Sequence, residues 1–155
     1  MKNIPIIGCM RWGIWGANFT TKQYETIIDQ CLSVDLNIFD HADIYGHYTT
    51  EADFGMAIKG KSSLRQQMKL ITKCGINMLT PNRPAHSIKS YDTSAAHIRK
   101  SVENSLQNFH TDYIDTLLIH RPDLLLNTEE IAATINELKG AGKIKSFGVS
   151  NFNTH

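Results

Sequence analysis

The sequence predicts an α/β protein built on a parallel sheet, because strand-length apolar runs alternate with longer segments of helical period. Connections of helical length between successive strands point to parallel pairing, since a parallel crossover needs about a dozen residues and usually a helix. The chain has 155 residues, 41% of them hydrophobic and 20% charged, which suits a single core.

Each element has its own local warrant. Ile6 to Met10 reads as a first strand. From Thr21 to Asp35, Tyr24, Ile27, Ile28, Cys31 and Leu32 share one helical face. Asn37 to Ala42 is a second strand, followed by a helix near Glu51 to Lys59. Lys69 to Cys74, rich in β-branched and apolar residues, is a third. A long loop from Ile76 to Asp92 leads into a helix from about Thr93 to Phe109, with Ile98, Val102, Leu106 and Phe109 in register. Tyr113 to Ile119 is a fourth strand. Asn127 stands three residues before Glu130, the pattern of a capping box, and opens a helix carrying Ile131, Ile135 and Leu138. Gly140 and Gly142 end it, and Lys145 to Val149 makes a fifth strand.

Two architectures fit about five βα units. An open doubly wound sheet has this natural size. A TIM (β/α)₈ barrel needs about 250 residues, so the chain would supply only its first part. Length favours the open sheet, and the motifs have to decide.

Charge and composition exclude several function classes. Sixteen Lys and Arg nearly balance fifteen Asp and Glu, and a net charge of +1 gives no electrostatic case for nucleic acid or a membrane surface. The longest clearly apolar stretches, such as Ile114 to Ile119, fall far short of the roughly 20 residues of a membrane helix. No signal peptide is visible, since Met1-Lys2-Asn3 runs straight into a strand broken by Pro5. Cys9, Cys31 and Cys74 have neither metal nor redox spacing, so reduced thiols and a cytoplasmic location are expected. No metal site is expected: His41, His47, His86, His97, His110 and His155 read as structural or surface residues. Arg121 and Asp123 most simply pair with neighbours or cap the turn at Pro122. Met10 and Trp12 read as core or pocket lining.

The chemistry gathers at the carboxyl ends of the strands, where ligands bind in parallel α/β folds. The second strand ends in Asp40-His41-Ala42-Asp43-Ile44-Tyr45-Gly46, the third in Thr72-Lys73-Cys74-Gly75, the fourth in His120-Arg121-Pro122-Asp123, the fifth in Ser150-Asn151-Phe152. A phenol with a reference pKa of about 10 is a poor proton donor at neutral pH. A neighbouring ammonium stabilises the phenolate, and a carboxylate holds the ammonium. Asp40, Tyr45 and Lys73 supply these parts, and His120 could hydrogen-bond an incoming carbonyl oxygen. Such a set protonates a carbonyl while a hydride arrives from a nicotinamide cofactor.

The run Phe39 to Gly46, Thr72-Lys73, Leu117 to Pro122, Phe147 to Phe152 and the opening Gly8 to Gly13 together resemble the aldo-keto reductase superfamily, bacterial oxidoreductases above all. The resemblance covers nearly the whole chain and keeps the family's order. It implies a partial TIM barrel, NADP(H) as cofactor and a small-molecule carbonyl substrate. It also implies Asp40, Tyr45, Lys73 and His120 as a catalytic tetrad, with Tyr45 the general acid. Ser150 and Asn151 match the pair that holds the nicotinamide carboxamide, and Met10 and Arg11 are expected to bind the cofactor as well. His41 replaces the usual Thr or Ser, so substrate class does not transfer. The Ile76 to Asp92 loop is either a substrate lip or a mobile surface loop. No G-x-G-x-x-G phosphate loop follows the first strand, which counts against the open sheet.

The expectation is therefore a single partial barrel domain over residues 1–155, lacking barrel strands six to eight. Two functions follow: an NADPH-dependent carbonyl reductase, or a truncated, non-catalytic remnant that at most associates through its open edges.

Overall fold

The computed structural model describes residues 5–153. Its main sheet is five-stranded and parallel, with β1 (Ile7–Gly8), β2 (Ile38–Asp40), β3 (Lys69–Cys74), β6 (Ile114–Ile119) and β7 (Ile144–Val149) side by side in that order. Every neighbouring pair in it is parallel, with Phe39 opposite Leu70, Lys73 opposite Leu118 and Ile119 opposite Val149. Helices α1 (Thr21–Ser33), α3 (Thr50–Ile58), α5 (Ala95–Phe109) and α6 (Thr128–Gly140) provide the crossovers. The strands lie in chain order with no reversal, as in a partial (β/α)₈ barrel and unlike a doubly wound sheet, whose order reverses at a switch point.

Local chemistry sets where the helices begin. The Thr20 hydroxyl accepts from the Gln23 backbone, and the Gln23 side chain accepts from the Thr20 N–H, closing a capping box on α1. Ser94 caps α5 through the His97 N–H. Asn127 caps α6 by accepting from the Glu129 and Glu130 N–H groups. Glu130 does not complete the expected box. Its carboxylate instead accepts from the Ala95 N–H at 2.7 Å, tying α6 to the start of α5.

Side chains alternate across each strand. Phe39, Leu70, Leu117 and Ile119 point to the helices, forming two buried clusters. One packs Cys74, Leu117, Ile119 and Ile144 against α5 and α6. The other joins Phe39 and Leu70 to Tyr24, Ile28, Phe54 and Phe109.

The structure corrects several boundaries. The first two strands are shorter than Ile6 to Met10 and Asn37 to Ala42, and the fifth begins one residue earlier, at Ile144. Backbone pairing nonetheless runs on beyond β2, because the His41 N–H donates to the Ile71 carbonyl and the Asp43 N–H to that of Lys73. The short helices α2 (Tyr45–Tyr48) and α4 (Ser62–Gln66) were not legible in the periodicity. The 76–92 segment is not structureless. Its ends pair as an antiparallel ribbon of β4 (Ile76–Asn77) and β5 (Ser90–Tyr91), strands too short to leave a period-2 signal.

Candidate active site

Strand alternation that sends Phe39, Leu70 and Leu117 to the helices sends Asp40, Lys73 and His120 to the opposite face of the sheet. Asp40 and Lys73 stand at the ends of neighbouring strands, and the main-chain pairing beyond β2 keeps their backbones in register. The Lys73 ammonium is the hub. It donates to Asp40 Oδ2 at 2.7 Å, to the His41 carbonyl at 2.7 Å and to the Tyr45 hydroxyl oxygen at 3.2 Å. Lys73 is 6% exposed, so its charge acts with little screening by water.

Tyr45 reaches this position through a tight turn. Gly46 and His47 both have positive φ, and a Cβ at Gly46 would stand 2.4 Å from the Thr50 hydroxyl, so glycine is required there. The Tyr45 ring lies edge-on to His120, with centroids 6.1 Å apart, and 6.2 Å from the Trp15 ring. Trp15 also meets His47 edge-on at 5.3 Å, which walls the site from the loop after β1.

Burial, reinforced by the Lys73, Arg121 and Lys89 charges, pulls the His120 imidazole down to about 4, so it is neutral near pH 7. A neutral imidazole carries one N–H and can donate to a carbonyl oxygen. His41 points the other way. Its ring is fully buried between Phe54 and Phe109, and burial followed by the Lys73 charge pulls it down to about 3. Only its backbone carbonyl belongs to the site.

Ser150 and Asn151 lie at the end of β7, beside His120. The Asn151 amide donates to the His120 carbonyl at 3.0 Å and to the Ser150 hydroxyl at 2.8 Å. Among the described residues this leaves the Asn151 Oδ1 and the Ser150 hydroxyl proton without partners, a donor and an acceptor suited to a carboxamide. The main chain of Asn151 is left-handed, with φ of 64°. Met10 and Arg11 sit in the turn after β1, exposed, at the other edge of the sheet. Among the described residues, no side-chain hydrogen bond joins either to the tetrad. Trp12, by contrast, packs against Phe19, Tyr24, Phe39 and Phe54 and is core.

Behind the site, on the helix face, sequence reasoning missed two buried acids. The Asp43 carboxyl accepts from the Ser101 hydroxyl at 2.6 Å, and burial pushes it up to about 8. Glu51 accepts from Thr72, Ser105 and Asn108, and burial raises it against the pull of those bonds. Both line a polar cavity of about 80 Å³ between α3, α5 and the 76–92 segment, with Tyr48, Arg83 and His97. Tyr48 pins that segment, donating to the Ile76 carbonyl and accepting from the Met78 N–H. The only sequence signal for these roles is the two-residue alternation from Phe39 to Asp43, which directs Asp43 to the helices.

Among the described residues, no group of three or more His, Cys, Asp or Glu could hold a metal ion. None of their helices is long and apolar enough to cross a membrane. Burial holds the Cys9 and Cys74 thiols well above their usual range, away from the reactive thiolate form. Asp123 caps its own turn by accepting from the Leu125 N–H.

Known proteins share the sequence family and the fold. Residues 6–155 match the model of the aldo/keto reductase family. The Bacillus subtilis oxidoreductase YcsN is 47% identical over 150 residues, 97% of this chain and 49% of that protein. The 6-dehydroglucose reductase of Agrobacterium fabrum is 41% identical over 91% of this chain and 49% of its own length. In three dimensions the chain is similar to the aldo-keto reductase AKR11C1 from Bacillus halodurans, solved as a holo form. The TM-score is 0.79 at 30% identity, over 96% of this chain and 46% of that one. The chain thus spans about half the length of the curated relatives it matches.

Proposed function

Because this chain belongs to the aldo/keto reductase family, we propose that its site reduces an aldehyde or ketone to an alcohol with NADPH. The observation that carries the reading is the Lys73 ammonium held between the Asp40 carboxylate and the Tyr45 hydroxyl, beside a neutral His120.

In this reading the His120 N–H donates to the substrate carbonyl oxygen and orients it beside the Tyr45 hydroxyl. Tyr45 gives its proton to that oxygen as the carbonyl carbon is reduced. The Lys73 ammonium, 3.2 Å from the phenol oxygen, stabilises the charge left behind, and Asp40 keeps the ammonium in place. Ser150 and Asn151 would hold the nicotinamide carboxamide. When bound, the dinucleotide supplies the hydride. Met10 and Arg11 are assigned to the same cofactor, from the opposite edge of the sheet. Trp15 lines the substrate side.

The reading is tested by titrating the chain with NADPH by fluorescence and following aldehyde-dependent NADPH oxidation. The substrates are simple aldehydes and 6-dehydroglucose, the latter because a relative carries that name. Saturable binding with turnover is expected. Tyr45→Phe should lose turnover by about 10²–10⁴-fold, the usual weight of a positioned acid, while keeping NADPH binding. Full activity in Tyr45→Phe, or no binding at high micromolar NADPH, would overturn the proposal.

A further inference from the structure

We propose that Glu51 is a positioning residue for Lys73, clamping the end of β3 against α5 so that the ammonium stays within reach of Tyr45. The inference rests on reading Tyr45 and Lys73 as the proton-handling pair.

Adjacent residues of a strand face opposite ways. Lys73 faces the site, and its neighbour Thr72 faces the helices, where its hydroxyl donates to Glu51 Oε1 at 2.6 Å. The same carboxyl group accepts from the Ser105 hydroxyl at 2.9 and 3.0 Å and from the Asn108 amide at 3.2 Å. Glu51 is 2% exposed, and all these partners are neutral. Burying a carboxylate without a cation is costly, and an apolar side chain would hold a helix on a sheet at lower cost. A carboxylate does what an apolar residue cannot: it takes donors from a strand and a helix at once, with fixed directions.

The helix side is arranged for this. Ser101, Ser105 and Asn108 fall at spacings of four and three on α5, one continuous face. Ser105 and Asn108 take Glu51, while Ser101 takes Asp43, two residues before Tyr45. Gly55, one turn beyond Glu51 on α3, brings the two helices together: a Cβ there would stand 1.8 Å from the Asn108 carbonyl oxygen. The close approach puts the Glu51 carboxyl group among the α5 donors. Lys73 has only to move a few tenths of an ångström outward to lose its 3.2 Å contact with Tyr45, the longest of its hydrogen bonds.

The test compares Thr72→Val, which keeps shape and loses the donor, with Thr72→Ser, which keeps the donor. Each is examined by crystallography and by the NADPH oxidation assay. Thr72→Val should fold with Lys73 Nζ beyond about 3.5 Å from the Tyr45 oxygen. Its kcat should fall about 100-fold with KM little changed, the scale of a misplaced catalytic group. Thr72→Ser should restore both. Should Thr72→Val fail to fold, Ser105→Ala removes a donor from the helix side and is expected to lengthen the same contact. A folded variant with the Lys73–Tyr45 contact intact would overturn the proposal, as would equal losses in the Val and Ser variants. A wild-type chain that shows no turnover would instead remove the reductase reading, and the crystallographic distance would still decide the role of Glu51.

Discussion

His41 shows how one residue serves two faces of the sheet. Its carbonyl accepts from Lys73, while its ring fills the core with neither nitrogen hydrogen-bonded among the described residues. An unpaired buried donor or acceptor costs about 1–3 kcal/mol. The ring also sets a pH dependence. Above about 6.5, His41 is neutral folded and unfolded. As pH falls below that, the unfolded chain takes a proton, whereas the folded ring resists until about 3. Stability is therefore fully present above pH 6.5 and is lost on acidification, by up to about 1.4 kcal/mol per pH unit. His120 adds to this in the window down to about 4. His41→Leu removes the orphaned nitrogens and keeps the backbone carbonyl. In urea unfolding at pH 7.5 and pH 5, the variant is expected to be more stable by about 1 kcal/mol at the higher pH. It should also lose less on acidification than the parent, and parallel losses would refute the argument. At this scale the sequence singled out Asp40, Lys73 and His120 as polar residues closing apolar runs, and Tyr45 from the run that follows β2. It could not show that His41 contributes only its main chain, since that depends on Phe54 and Phe109, distant in sequence.

Among elements, the long amphipathic helices were legible because their apolar faces repeat at helical spacing, and Asn127 marked the start of α6; the Thr20 and Ser94 caps emerged only in the structure. The short pieces were not. The β4–β5 ribbon has two residues on each side, and what holds it is Tyr48, from another element. Packing of α3 on α5 was also invisible, although it turns on one residue. Gly55→Ala would drive a methyl group into the Asn108 carbonyl, and backbone cannot move aside as a side chain can. Overpacking of this kind costs about 1–3 kcal/mol. A drop of that size in the urea-unfolding free energy is expected, and an unchanged midpoint would mean that the helices separate freely.

For the whole molecule, the two ends of the sheet do different work. At the carboxyl end the polar groups converge on one site. At the amino end, Arg65 is buried and donates to Asp115, Tyr113, Met68 and Thr111, linking α4 to β6 and the start of β3. Asp115 also accepts from the Leu70 N–H and from Lys145, joining β3, β6 and β7. Arg65→Met would leave Asp115 with one exposed cation and strip the Met68 and Tyr113 carbonyls of a donor. A loss of about 3–5 kcal/mol is expected from urea unfolding, as for a broken buried ion pair. NADPH affinity measured on the folded fraction should be unchanged, because the site lies at the opposite end. A weakened affinity with stability intact would reverse that assignment.

The sequence by itself determined the parallel α/β plan, the lineage and the strand-end residues. These are local facts: periodicity, caps, and polar groups that follow apolar runs. Tertiary structure alone decided which of those residues meet, that Lys73 joins Asp40 to Tyr45, and that Asp43 and Glu51 lie behind them facing α5. Such contacts join residues tens of positions apart, as Lys73 is from Asp40 and Tyr45 or Glu51 from Ser105. No pattern along the chain encodes the distance between strand ends. That distance is set when helices pack on the sheet, and here it depends on a glycine and a buried carboxylate.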